Sequence, residues 1–379
     1  MSEENNLQDP CAKSEQDRGA SGNKPKVSIE TFRCVAKMGF PMAQLDLGIR
    51  LIRGEDGEKN PAEAIFWIRS AADQGNAEAQ CCLGDCLAEG RCGQPDKAEA
   101  VKWYRAAADQ GYTPAQYNLA RCLHFGDGCP IDHAEELKWL RLAAQRGDAL
   151  AQIQLGCALL LGDICRKNGE EGVKWFRACA EQGHSQGQYN LALCLIYGEG
   201  CPKDRAEGLI WLRRAAEQGH RMAQHNLGCS LILGQGCDPD PEEAVKWFRK
   251  AAEQGDVRSQ NNYASCLFRG EGCEANPEEA VKWYRKAAEQ GHKEAQNNLG
   301  ECLYKGEGGE KDPAEAVQWF RAAAEQGVDE SQYYLGVCLI NGEGCPKNRE
   351  EGLGLLRLAA RQGYEEAQKL LKRLEEDSR

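Results

Sequence analysis

One pattern of apolar and polar positions recurs along the chain with a period of 36 residues. In the segment 255–291, a first stripe of small and apolar residues has the spacing of one helical face and ends at Gly270, a typical helix stop. A second stripe follows Asn276, with Glu279 three residues later, which is the sequence of a capping box. The pattern predicts two helices per repeat, A and B, joined by a short turn.

The repeat continues without insertion over most of the chain. Gln recurs every 36 residues from Gln44 to Gln368, and all eight Trp residues share one column from Trp67 to Trp319. Asn or Asp precedes helix B in nine repeats, from Asn60 to Asn348, always with Glu three residues later. Such regular units pack mainly on their neighbours. We therefore predict an all-α fold, a right-handed α/α superhelical solenoid of helix-turn-helix repeats.

The domain organisation follows from where this periodicity begins. Residues 1–26 are polar and aperiodic, which predicts a disordered N-terminal arm. We predict that residues 27–379 form the solenoid, with about nine repeats and a terminal helix. That last helix becomes rich in Lys and Glu, as expected of a polar cap.

Two consecutive segments carry a family resemblance. The sequences AQNNLGECLYKGEG at 295–308 and DPAEAVQWFRAAAEQG at 312–327 resemble the Sel-one-like repeat family, which is related to tetratricopeptide repeats. The resemblance covers about residues 39–379. It implies a superhelix of α/α hairpins whose A helices line a concave groove. It also implies a non-enzymatic scaffold or adaptor that binds an extended segment of another protein or peptide.

Charge and hydropathy narrow the classes of partner and compartment. The net charge is −12 without a local cluster of Lys and Arg, which argues against nucleic acid as a partner. The sequence contains no apolar run long enough to insert into a membrane. The opening MSEENNLQDP lacks the pattern of a secretory signal, so we expect a cytoplasmic monomer, with export without such a signal as the alternative.

The 20 cysteines are the most unusual feature of the composition. Fourteen of them occur as seven pairs, with one cysteine near the end of a helix A and the other in the turn that follows. The pairs are Cys86 and Cys92, Cys122 and Cys129, Cys157 and Cys165, Cys194 and Cys201, Cys229 and Cys237, Cys266 and Cys273, and Cys338 and Cys345. They are either short-loop disulfides or buried thiols that pack as small apolar side chains. In the secreted branch of the Sel-one-like repeat family, which this sequence resembles, disulfides join the end of a helix B to the start of the next helix A. The cysteine positions of this sequence do not fit that pattern.

We expect no metal, no cofactor and no catalytic site. Each cysteine pair supplies two ligands where a structural zinc site needs four. The Gly-containing turns, such as Gly270-Glu271-Gly272, are interpreted as helix stops and not as nucleotide-binding sites. They precede no strand and lack the Lys of a phosphate loop. The repeat brings no Ser/His/Asp or Cys/His set together, so an enzyme would need residues that break the pattern. The alternatives to a scaffold are a redox-responsive thiol protein and, more remotely, a thiol- or His-dependent hydrolase.

The candidate binding surface occupies three columns of helix A, at the second, fifth and ninth residues after each repeat Gln. The Asn amides of the second column can bond an extended peptide backbone, or they can bond the adjacent repeat. The other two columns predict apolar anchors followed by a basic end, which suits a segment with apolar residues and an acidic end. The candidate residues are Asn118, Arg121, Phe125, Leu161, Asn190, Leu193, Tyr197, Asn226, Leu233, Asn262, Arg269, Asn298 and Lys305.

Overall fold

The computed structural model describes residues 28–55, 59–91 and 93–376, so the arm predicted for residues 1–26 and the pair partner Cys92 lie outside the described residues. Within these ranges the chain forms 20 helices and no strand. The helices are α1 (Ile29–Lys37), α2 (Pro41–Arg53), α3 (Pro61–Asp73), α4 (Ala77–Glu89), α5 (Lys97–Asp109), α6 (Thr113–Phe125), α7 (His133–Gln145), α8 (Ala149–Leu161), α9 (Gly169–Glu181), α10 (Ser185–Tyr197), α11 (Arg205–Glu217), α12 (Arg221–Leu233), α13 (Pro241–Glu253), α14 (Val257–Arg269), α15 (Pro277–Glu289), α16 (Lys293–Lys305), α17 (Pro313–Glu325), α18 (Asp329–Asn341), α19 (Arg349–Gln362) and α20 (Glu365–Glu376).

The helices belong to two compact units. The first contains α1 to α9 and α10 as far as Cys194, together with Glu199–Pro202. The second contains the end of α10 from Leu195 and all helices from α11 to α20. In the first unit each helix from α1 to α8 packs against the next one along the chain, and in the second unit each helix from α11 to α19 does so. The predicted all-α fold of tandem helix-turn-helix repeats is therefore confirmed.

Local signals in the sequence determine where the helices begin and end. Helix α14 stops at Gly270, whose φ of +69° is in the left-handed region and whose N–H donates to the carbonyl of Cys266. Helix α15 starts after Asn276, whose Oδ1 accepts from the N–H of Glu279 at 3.0 Å. The same cap bond is present in all nine predicted capping positions, at Asn60, Asp96, Asp132, Asn168, Asp204, Asp240, Asn276, Asp312 and Asn348.

The Glu three residues after each cap also links neighbouring B helices. In the second unit, the Glu243 carboxylate accepts from Nε1 of Trp247 at 3.0 Å and from Nη2 of Arg213 at 2.9 Å. The hydrogen bond from Arg213 lowers the pKa of Glu243, although burial opposes that shift. The sequence predicts the cap but not this second role, because Arg213 belongs to the preceding repeat.

The repeated Gln holds three helices together. Gln152 on α8 donates from Nε2 to the carbonyl of Ala144 on α7 at 3.0 Å, and its Oε1 accepts from Nε2 of Gln182 after α9 at 2.9 Å. The bond to an Ala carbonyl eight residues earlier is made by all ten repeat Gln residues. Each of these Gln side chains therefore joins its own repeat to the preceding helix B.

One repeat departs from this network. Arg146 occupies the column in which the other repeats carry Gln, and its guanidinium donates to the carbonyl of Gly111 instead. As a result, Oε1 of Gln116 is buried without a hydrogen-bond partner. Such an unsatisfied acceptor costs stability, since its bond to water is lost on folding without replacement.

Helices A and B of one hairpin pack most closely where a Gly of helix A meets a large side chain of helix B. In four alternate repeats the partner is an aromatic ring, and a Cβ added to Gly156 would lie 2.6 Å from the Phe176 ring. Of the three intervening repeats, two hold Ala and Leu in these columns, at Ala120 and Leu140 and at Ala192 and Leu212, and the third holds Ala264 and Tyr284. In the Ala/Leu repeats, side-chain volume is thus exchanged between the two helices at roughly constant total.

We expect Gly156→Ala to lower the free energy of unfolding by about 1–3 kcal/mol, because the added methyl overlaps the Phe176 ring. The double variant Gly156→Ala/Phe176→Leu recreates the Ala/Leu pair of the preceding repeat and should recover much of that loss. Urea unfolding followed by circular dichroism measures both. An unchanged midpoint for the single variant would contradict the packing described here.

A second stability prediction concerns Arg146. Replacing it by Gln should supply the missing donor to Gln116 and raise the free energy of unfolding by about 1 kcal/mol. The reverse change at the equivalent position, Gln182→Arg, removes an existing bond and should be destabilising. Urea unfolding measures the free energy of unfolding of both variants. If Arg146→Gln were no more stable than the wild type, the unsatisfied Oε1 of Gln116 would not be the cost described here.

Candidate protein-binding site

The three candidate columns have different surroundings because each lies at a different point along helix A. The ninth residue after each repeat Gln from Gln44 to Gln332 is the last residue of its helix, directly before the Gly stop, and we call this set the end column. It comprises the candidates Phe125, Leu161, Tyr197, Leu233, Arg269 and Lys305, together with Arg53, Glu89 and Asn341. The second and fifth residues lie deeper along the helix.

The end column is exposed although four consecutive repeats fill it with large apolar residues. In the first unit, the exposed fractions are 59% for Phe125 and 68% for Leu161. In the second unit, they are 66% for Tyr197 and 64% for Leu233. Exposed apolar side chains at one repeated position are typical of an interaction surface, since a fold gains nothing from leaving them in water.

The Asn residues of the second column mostly bond to the preceding repeat. Asn118 is only 2% exposed and donates to Oδ1 of Asp85 at 3.0 Å. Asn298 donates to Oδ1 of Asn261 at 3.0 Å. Asn262 likewise donates to Sγ of Cys229, at 3.9 Å.

Two further Asn residues of this column and two residues of the fifth column are half-buried. Asn190 accepts from Nε2 of Gln186 on its own helix at 2.9 Å, and Asn226 is only partly accessible. Arg121 and Leu193 of the fifth column are partly accessible as well. The second and fifth columns therefore contribute less accessible surface than the end column.

A pocket in the second unit brings together three of the candidate residues. Arg269, Asn298 and Lys305 line a cavity of about 250 Å³ together with Phe268 and Tyr284. Two Glu residues, Glu301 and Glu307, complete part of its wall. Lys305 forms an ion pair with Glu301, whereas the exposed Arg269 supplies a cation at the pocket edge.

The structure also groups side chains that the repeat pattern assigns to separate columns. The two ring nitrogens of His225 have different neighbours. Nε2 lies 3.6 Å from Sγ of Cys229, and Nδ1 lies 2.8 Å from Oγ of Ser259. That hydroxyl donates to Oδ2 of Asp256 at 2.7 Å, and the same Oδ2 accepts from the Ser259 N–H as the cap of α14. The expectation that no Ser/His/Asp or Cys/His set comes together is thus wrong in its geometry. His225 and Cys229 are one turn apart on α12, and Asp256 and Ser259 meet His225 because α14 is the next helix A along the chain.

This cluster contains no activated nucleophile. Burial raises the pKa of the Cys229 thiol and lowers the pKa of the His225 imidazole, so both groups are favoured in their neutral forms. The thiolate is the reactive species of cysteine. The four side chains satisfy one another as a buried polar network between two repeats.

The paired cysteines lie at the ends of A helices and in the turns that follow them. Burial raises the pKa of Cys122 and Cys266 to about 12. Sγ of Cys273 donates to the Cys266 carbonyl at 3.7 Å, so the turn cysteine folds back onto the helix end of its own repeat.

The pair Cys194 and Cys201 shows the same arrangement within the first unit. Cys194 is buried near the end of α10, and Cys201 is half-buried in the turn that follows this helix. Burial, and to a smaller extent the neighbouring Cys201, raises the pKa of Cys194 to about 12. The two side chains therefore lie near each other, yet both Cys194 and Cys201 are thiols in the structure.

Every described member of the pairs is a thiol in the structure, namely Cys86, Cys122, Cys129, Cys157, Cys165, Cys194, Cys201, Cys229, Cys237, Cys266, Cys273, Cys338 and Cys345. Burial disfavours the thiolate that must attack for a disulfide to form. Bridging of these pairs under oxidising conditions stays a prediction.

Comparison with known proteins places the repeat in a family. The Sel1 repeat model matches nine consecutive segments, which together span residues 41–364. The chain belongs to the Sel1 repeat family. The predicted resemblance is confirmed, and proteins of this family generally serve as non-enzymatic scaffolds that bind other proteins. No curated protein matches the chain.

Two solved structures of this family are similar to the chain. A protective antigen of uropathogenic Escherichia coli strains, c5321, displays an SLR fold and is 33% identical, over 90% of this chain and 81% of the antigen, with a TM-score of 0.54. A Sel1 repeat protein from Oxalobacter formigenes is 30% identical, over 81% of this chain and 89% of its own, with a TM-score of 0.63. In the described part of this Sel1 repeat protein, no helix is both long and apolar enough to cross a membrane.

We expect all cysteines of the reduced protein to be thiols, with Cys34 alkylated before the buried Cys122 and Cys266, because Cys34 is exposed and the other two have raised pKa values. Mass mapping after brief alkylation of the folded protein measures this order. After oxidation, bridges should join the seven pairs within repeats, as from Cys194 to Cys201. A bridge from Cys122 to Cys157 would disprove that pairing.

Proposed function

We propose that this Sel1 repeat protein is a non-enzymatic scaffold that binds an extended segment of a partner protein along its A helices. The exposed end column is the single observation that carries the proposal. The segment presents apolar side chains to this column and an acidic end to Arg269. The net charge of −12 supports a protein partner over nucleic acid.

The apolar contacts come from regularly spaced helix ends. Phe125 and Leu161 end consecutive A helices of the first unit, and Tyr197 and Leu233 do so in the second. An extended peptide that follows either pair can place one side chain per repeat, with its backbone between them. Large apolar and aromatic anchors dominate the energy of such interfaces.

The basic contact is in the second unit. Arg269 lines the pocket with Phe268 and Tyr284 and with two acidic residues, Glu301 and Glu307. The carboxylate is therefore assigned to the exposed guanidinium at the pocket edge and not to the pocket interior. Charge-assisted bonds to a guanidinium are stronger than neutral ones. Lys305 contributes less to anion binding because Glu301 already neutralises it. The acidic end of the segment is therefore assigned to Arg269.

The test compares partner binding by the wild type and by the variants Tyr197→Ala and Arg269→Ala. Each should weaken binding to an isolated partner by about 1–3 kcal/mol, since both side chains are exposed anchors. Calorimetry with the purified partner measures the affinity. Circular dichroism should be unchanged, because neither side chain is part of the core.

Two controls separate binding from folding. Phe66→Ala and Arg249→Ala remove an equally exposed aromatic ring and an exposed Arg from B helices, and should leave the affinity unchanged. Trp247→Ala should instead unfold a repeat, because Trp247 is buried and donates to Glu243. Normal partner binding by the Tyr197→Ala/Arg269→Ala double variant would overturn the proposed site.

A further inference from the structure

In one hairpin of the first unit, His124 and Glu136 break the repeat pattern, and His133 lies beside them in a column that holds Pro, Lys, Gly or Arg elsewhere. His124 lies in α6 and takes a column that is apolar in other repeats, such as Ile52 and Leu160. His133 and Glu136 lie in the first turn of α7. The Glu136 column holds only Ala or Gly in the other eight repeats, at Ala64, Ala100, Gly172, Gly208, Ala244, Ala280, Ala316 and Gly352.

The three side chains meet at one point. Oε1 of Glu136 lies 2.9 Å from Nδ1 of His124, and its Oε2 lies 2.8 Å from Nδ1 of His133. The Glu136 side chain is 3% exposed, whereas those of His124 and His133 are 38% and 44% exposed. A carboxylate has therefore been buried where every other repeat keeps a small residue.

Burying a carboxylate is costly unless a cation compensates it. The two imidazoles face its two oxygens, and one donor atom from each of the three residues lies within 4.8 Å of the others. Two His nitrogens and one Glu oxygen form a ligand set typical of zinc, with a fourth position left for water. The exposed edges of the two His rings leave that position open to solvent.

We propose that His124, His133 and Glu136 bind one divalent transition-metal ion of the Zn²⁺ class. The ion replaces the two His–Glu hydrogen bonds and links the end of α6 to the start of α7. It closes the turn between the two helices of this hairpin. The site adjoins the end column, because His124 directly precedes Phe125 and their rings meet edge to face with 4.6 Å between centroids. It uses no cysteine ligand.

The ligands come from two helices that are separated by a turn, so metal binding is coupled to the folded hairpin. The unfolded chain does not hold the three groups together, and binding to the native state alone raises stability. We therefore expect Zn²⁺ to raise the melting temperature of the full chain. From the sequence alone no metal is expected, because each cysteine pair offers only two ligands and the repeat pattern does not bring His124, His133 and Glu136 together.

The experiment titrates the metal-free, reduced full-length protein with Co²⁺ and then with competing Zn²⁺. One Co²⁺ per chain should give the visible d–d absorption of a four-coordinate nitrogen and oxygen site, without the sulfur charge-transfer band of cysteine ligation. Zn²⁺ should displace it. Absence of the d–d bands from the wild type, or a spectrum dominated by sulfur ligation, would overturn the proposal.

Matched variants assign the ligands. Glu136→Ala and His124→Leu introduce residues already present in the same columns, so the fold should persist. Each should weaken Zn²⁺ binding by at least about tenfold, as loss of even an outer-shell partner does. The control His184→Asp introduces the residue of the preceding repeat, Asp148, and should bind like the wild type.

The outcomes separate a metal site from a metal-free triad. Loss of the Co²⁺ spectrum and of the Zn²⁺-induced rise in melting temperature in both ligand variants, with both retained in the control, supports the site. If Glu136→Ala and His124→Leu bind Zn²⁺ as the wild type does, the three residues form only a hydrogen-bonded triad and the proposal is wrong.

Discussion

The side-chain amide of the repeat Gln sets the spacing between neighbouring helices. Its Nε2 is bound to an Ala carbonyl at the end of the preceding helix B, and its Oε1 accepts from the Gln that ends its own helix B, as at Gln152. Both groups are buried, so each unmade bond carries the cost of desolvation. An insertion or deletion within a repeat would displace these partners, which is a physical reason for the constant period of 36 residues.

The same constraint determines where the sequence is able to vary. Core positions are occupied by the Gln network and by matched Gly and aromatic residues, such as Gly156 against Phe176, which tolerate little change in volume. The last residue of each helix A lies outside this packing, directly before the Gly stop. Phe125, Tyr197 and Arg269 differ there without affecting the repeat, so a regular scaffold presents a variable surface.

A residue that differs from the others in its column is informative, because the equivalent positions of the other repeats show which residue that place in the fold normally holds. Arg146 in a Gln column leaves the Oε1 of Gln116 unsatisfied, which is a cost without a visible structural return. Glu136 in an Ala or Gly column is compensated, because His124, which also departs from its column, and His133 both bond its carboxylate. A single departure is compatible with drift, whereas two that converge on one point indicate a site.

The all-α class, the repeat length, the helix ends and the nine caps are predictable from the sequence, because they depend on residues at most a few positions apart, as Asn276 and Glu279 are. Helix periodicity assigned three columns to the exposed face, but the candidate residues of the second and fifth columns, such as Asn118 and Leu193, are buried or half-buried. The packing of consecutive hairpins was needed to show that Asn118 is buried against Asp85 and that His225 meets Ser259 across a repeat boundary. Such contacts join residues 33 or 34 positions apart, and their distances depend on how consecutive hairpins pack.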